Sequence, residues 1–114
     1  MNEIEEISKF IRDIAIVDSI PEMEGRLDMA IGFSQRIGEL LNEAELNYSV
    51  KKADCLNKLR DMEDETETTR KTKLESWTAE ERKLWKDLKN MQTHLRQRIM
   101  SLMQAIKTRR EEPR

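Results

Sequence analysis

Between Leu84 and Ile106 the residues Leu84, Leu88, Met91, Leu95, Ile99, Leu102 and Ile106 advance by four, three, four, four, three and four. An α-helix turns once every 3.6 residues, so these seven side chains form one unbroken stripe. On a strand they would scatter over both faces. The spacing predicts a helix over about 78–111 with a seam of bundle or coiled-coil type. Trp85 widens the seam. Thr78 with Glu81 forms a capping-box pattern at its start, with Trp77 just outside.

The same period recurs upstream. Ile4, Ile7, Ile11, Ile14 and Val17 predict a short helix over about 3–19, opened by an Asn2–Glu5 capping pattern and closed by Pro21. Ser19 and Glu22 then cap a second helix over about 22–62, with Pro21 in its first turn. Its inner face is traced by Met23, Leu27, Ala30, Ile31, Ile37, Leu41, Ala44, Tyr48, Cys55, Leu56, Leu59 and Met62. Gly32 and Gly38 interrupt it, each at a cost of roughly 1 kcal/mol against alanine. Either Ala30, Ser34 and Gly38 form a small-residue face that admits another helix, or the chain breaks near Gly25 or Gly32. Residues 63–76 carry little apolar period and read as a polar tip. As a calcium loop it fails, because its alternating oxygen ligands lack the required glycine.

Charged residues make up 39% of the 114-residue chain, with only 3 Gly and 2 Pro, a profile of long helices. The fold expected is all-α and a single domain: a short N-terminal helix and a long antiparallel helical hairpin. The second and third helices would each be roughly 50–60 Å long. Two such helices leave part of each stripe in water and the first is too short to cover both, so the expectation is a homo-oligomeric bundle. Cys55 is alone, no apolar run approaches a membrane span, and MNEIEEISKF is unlike a signal peptide. A soluble, unprocessed, cytoplasmic protein is expected, with no membrane partner.

Little points to catalysis. The chain has one histidine, one cysteine and one tyrosine. His94 has no ligand-type residue at helical spacing and reads as a surface histidine; Cys55 reads as a packing residue. Carboxylate-bound magnesium, as in all-α nucleotide pyrophosphohydrolases, needs two acidic pairs, and only Glu3 with Glu6 is found. No enzyme activity, cofactor or metal is expected.

The charge is unevenly spread. Residues 1–87 hold seven more acids than bases, whereas residues 88–114 hold five more bases than acids. HLRQRIMSLMQAIKTRR, residues 94–110, has no acid at all. On a helix, Lys89, Arg96, Met100, Met103, Lys107 and Arg110 fall along one line, while Arg98 and Arg109 lie on the opposite flank of the seam near His94 and Ala105. Arginine offers forked donors to phosphate and methionine an adaptable apolar surface. Trp77, Trp85 and Tyr48 are the available stacking partners for a base. The bland alternative is a basic helix lying against acidic helices of its own or a neighbouring chain.

IGELLNEAELNYSVKKADCLNKL, followed by ERKLWKDLKNMQTHLRQRIMSLMQAIKTRREE, resembles a group of small helical proteins of tailed bacteriophages. In that group an ELL-x-EAE-x-x-Y-type helix precedes a helix with an Arg-Leu or Arg-Ile repeat and a basic tail. The resemblance spans about residues 37–112 and carries over no functional residue. It implies a phage protein acting in the host cytoplasm, and two roles suit such an object. One is a sponge that sequesters a nucleotide immune signal of the host. The other is an accessory in DNA replication or recombination. The expectation is therefore a non-enzymatic binder of a small anionic nucleotide. Its candidate residues are Arg96, Arg98, Met100, Met103, Lys107, Arg109, Arg110, Lys89, Trp85 and Tyr48. The alternatives are a module that binds or inhibits a host or phage protein and, ranked lower, a single-strand nucleic-acid binder.

Overall fold

A computed structural model describes residues 2–14, 19–62 and 66–112. They form four α-helices and, among the described residues, no strand: α1 (Glu3–Asp13), α2 (Ile20–Arg60), α3 (Glu67–Trp77) and α4 (Ala79–Glu111). Contacts divide the chain into two compact units. Unit 1 is Met1–Gly38 with Asn90–Arg114, and unit 2 is Glu39–Lys89. Both long helices contribute to each unit.

In unit 1, Asn2 caps α1 by accepting the Glu5 N–H at 2.8 Å, and three glutamates favour the positive end of the helix dipole. Ile7, Ile11 and Ile14 are buried, as their period requires. The helix is shorter than 3–19. It ends at Asp13, with Ile14 extended and its N–H donating to the Phe10 carbonyl at 2.9 Å. A β-branched residue has little to lose by leaving the helix, and the extended backbone still buries Ile14. Val17 lies outside the described residues.

Ser19 Oγ accepts the Glu22 N–H at 3.5 Å at the start of α2. The helix then runs 41 residues without a break at Gly25, Gly32 or Gly38. None of the three glycines has a positive φ. The packing of Met23, Ala30, Ile37 and Ala44, each seven residues from the last, outweighs their propensity cost. Ile31 and Leu56, expected on the inner face, are 42% and 48% exposed. Phe10 and Phe33 meet at 4.8 Å between ring centroids and join α1 to α2. Arg110 pairs with Glu24, so the end of α4 lies beside the start of α2 and the pair is antiparallel in this unit. Leu95, Leu102 and Ile106 supply the α4 side of the core.

Unit 2 corrects the expectation of a polar tip, because residues 67–77 are helical. Thr66 caps α3 by accepting the Thr69 N–H at 3.1 Å. Arg70 reaches back to the end of α2, where its Nη2 donates to the Met62 carbonyl at 2.6 Å. These local bonds replace the missing apolar period; Leu74 alone gives α3 a half-buried leucine. Residues 63–65 lie outside the description. The capping box expected at Thr78 is not formed. Its hydroxyl donates backward to the Leu74 carbonyl at 2.7 Å, and buried Thr78 becomes the C-cap of α3 instead. Ala44, Cys55, Leu59 and Leu88 are buried. Leu84, placed in the seam by its spacing, is 41% exposed. Trp85 is turned inward in its place, stacked on Tyr48 with 6.0 Å between centroids.

Candidate binding surfaces of the basic helix

The last five turns of α4 carry the basic stretch, and the buried line of Leu95, Leu102 and Ile106 divides its exposed surface into two flanks. One flank bears Arg96, Met100, Met103, Lys107 and Arg110. The other bears His94, Arg98 and Ser101, at spacings of four and three.

The second flank meets α1. Ser8, Ile11 and Arg12 from α1 and Met91, His94, Gln97, Arg98 and Ser101 from α4 enclose an open cleft of about 590 Å³. Two guanidinium groups, an imidazole, two hydroxyls and a carboxamide line it, with Ile11 and Met91 as its apolar part. No carboxylate is among the described lining residues. Among the described residues Arg12 pairs with its sequence neighbour Asp13 at 3.8 Å, and both side chains are more than half exposed. Such a pair contributes little and leaves Arg12 available to a ligand. Forked N–H donors and hydroxyls around an apolar wall are the groups needed to hold a phosphate while a ring packs beside it.

The first flank borders a second hollow, of about 370 Å³. It is lined by Leu27 of α2 and by Met103, Ile106, Lys107, Arg110 and Glu111 of α4. Met100 and Met103 are 65% and 56% exposed.

The residues singled out from the sequence are thus separated. Arg98 lies in the cleft. Arg96, Met100, Met103, Lys107 and Arg110 lie on the opposite flank, where Arg110 is engaged by Glu24. Arg109 faces Glu112 at 3.5 Å. Lys89, Trp85 and Tyr48 belong to unit 2. There the Lys89 ammonium sits 4.3 Å from the centre of the Trp85 ring, so Tyr48 and Lys89 already occupy that indole. Ser8, Arg12, His94, Gln97 and Ser101 were not singled out. The run Met91, His94, Arg98, Ser101 at helical spacing was their one visible signal.

Among the described residues no group of three His, Cys, Asp or Glu side chains is placed to hold a metal ion. No described helix is long and apolar enough to cross a membrane. Cys55 is buried. Comparison with protein-family models, with curated proteins and with solved structures finds no match. The fold and its surfaces therefore define the chain by themselves: an all-helical protein whose basic helix borders a cation-lined cleft on one flank and an apolar hollow on the other.

Proposed function

We propose that this chain is a non-enzymatic binding protein that captures a small anionic nucleotide in the cleft between α1 and α4. The observation that carries this reading is a concave site lined by Arg12, His94 and Arg98 with no carboxylate among its described lining residues. Its volume falls within the roughly 300–1,000 Å³ usual for small-molecule sites. Arg12 and Arg98 would grip the phosphate, Ser8, Gln97 and Ser101 would complete its hydrogen bonds, and Met91 with Ile11 would face the base. Capture of this kind breaks no bond. In the phage setting that the sequence resemblance implies, it would serve as a sponge for a host nucleotide signal. A single-strand binder has less support, because Trp85 is already in contact with Tyr48 and Lys89. Exposed Leu46 and Val50 on the outer side of α2 support assembly as a homo-oligomer.

The test is thermal unfolding against linear and cyclic nucleotides, inorganic phosphate and short single strands. A ligand at ~100 times its Kd stabilises by about 2.7 kcal/mol, a shift on the order of 4 °C or more for a chain of this size. A nucleotide that shifts the wild type but not Arg98→Ala supports the reading. No shift with any of them overturns it.

A further inference from the structure

In unit 1 the α2–α4 pair has two grooves, and α1 fills one of them. It reaches α2 through Phe33 and Arg36 and borders α4 along Met91, His94 and Arg98. The opposite groove has no helix over it among the described residues. Leu27 and Ile106 form its floor. Met103 lines it from α4; Met100, one turn before on the same flank, and Ile31, one turn on from Leu27 on α2, extend the two walls by helical spacing and are 65% and 42% exposed.

We propose that this open groove docks an acidic amphipathic helix from a partner protein. Three observations carry the proposal. The first is the precedent within the molecule: α1, an amphipathic helix with three glutamates in its first turn, already occupies the other groove of the same pair. A fourth helix would complete a bundle by the packing that built the first three. The second is the length and chemistry of the bare wall. Arg96, Met100, Met103 and Lys107 follow one another by a turn each over about 16 Å, long enough for three turns of a docked helix. Methionine adapts to such helices, and the groove is the usual seat for them. The third is charge. Glu111 lines the hollow at its C-terminal end, but Arg96 and Lys107 on the exposed rim form no ion pair among the described residues, so glutamates flanking a partner's apolar stripe would meet two cations there. The proposal is independent of the nucleotide cleft, which lies on the other flank of α4.

The test follows the methionine methyl signals of the ¹³C-methyl-labelled protein while a synthetic peptide of residues 2–14, NEIEEISKFIRDI, is added to millimolar concentration. The high concentration is needed because so short a helix is marginal alone. The expected result is movement of the Met100 and Met103 signals with Met29 and Met62 unmoved. The combined Arg96→Glu and Lys107→Glu variant should weaken the titration at least tenfold while its circular dichroism stays that of the wild type. A peptide with lysine replacing its three first-turn glutamates should not bind. Movement of Met29 and Met91 instead would show the peptide displacing α1, and would overturn the proposal. So would equal binding of the acidic and basic peptides. A free chain that self-associates through Met100 and Met103 would also overturn it, because a second copy would then be the occupant.

Discussion

Arg36 of α2 grips Glu3 of α1 with both arms of its guanidinium, Nε on one carboxylate oxygen and Nη2 on the other at 2.9 Å. The pair fastens the first turn of the helix that supplies one wall of the cleft between α1 and α4. The hydrogen bond from Arg36 holds the Glu3 carboxyl below its ordinary value; desolvation opposes this and the charge of Arg36 assists it. A carboxylate whose pKa is lower in the folded state stabilises the fold above its unfolded pKa, and that contribution disappears as the pH falls through the lowered value. Chemical denaturation of wild type and Glu3→Gln should therefore differ at neutral pH and converge on acidification. Both partners are close to half exposed, so added salt should narrow the gap. Curves that stay parallel down to acid pH would remove Glu3–Arg36 as the tie.

The cleft distinguishes arginines that a helical wheel cannot rank. Arg12→Ala and Arg98→Ala should each weaken nucleotide binding by ten- to a hundredfold, the scale of losing a charge-assisted hydrogen bond worth roughly 1.5–3 kcal/mol. Arg96→Ala, on the far flank, and Arg109→Ala, beside Glu112, should change affinity less than threefold. Titration calorimetry on the four variants measures this directly. Loss of binding in Arg96→Ala with retention in Arg98→Ala would move the site to the other side of α4.

Gly38 is half-buried within α2, and a methyl group built on it meets no other atom within 4 Å. Gly38→Ala should therefore stabilise the chain by about 1 kcal/mol through helix propensity alone. Urea denaturation at low protein concentration reads that gain. A lower midpoint would mean that a surface from another molecule packs where the methyl group would stand. That outcome would restore the small-residue face of Ala30, Ser34 and Gly38 as a helix contact.

These cases show how much the sequence could reveal. The apolar stripes of α1, α2 and α4 were legible because burial of Ile7, Ile37, Leu95 and Leu102 follows helical period. Helix α3 was not, because its start rests on the Thr66 cap and on Arg70 reaching the Met62 carbonyl, neither of which leaves a periodic trace. The two flanks of the basic stretch could be drawn on a wheel, and Arg98 was set apart from Arg96 in that way. That α1 lies along the Arg98 flank could not be drawn, because it depends on tertiary pairings such as Phe10 with Phe33 and Glu3 with Arg36. Arg12 and Ser8 enter the cleft only through that packing. Trp85 and Tyr48 were legible as aromatics but not as each other's partners.

Leu102 and Met103 are neighbours in the chain with opposite surroundings, 2% and 56% exposed. Leu102→Ala should cost about 2–5 kcal/mol, since truncating a fully buried leucine removes its packing and leaves a cavity. That is a large fraction of the 5–15 kcal/mol typical of a small domain. Met103→Ala should lie within about 0.5 kcal/mol of wild type, as surface substitutions do, yet it should weaken docking of the acidic helical peptide. Denaturation midpoints and methyl titrations on the two variants separate stability from recognition. A Met103→Ala chain as destabilised as Leu102→Ala would mean that the groove is already filled in the free protein. A stable variant that binds the peptide like wild type would remove Met103 from the docking surface.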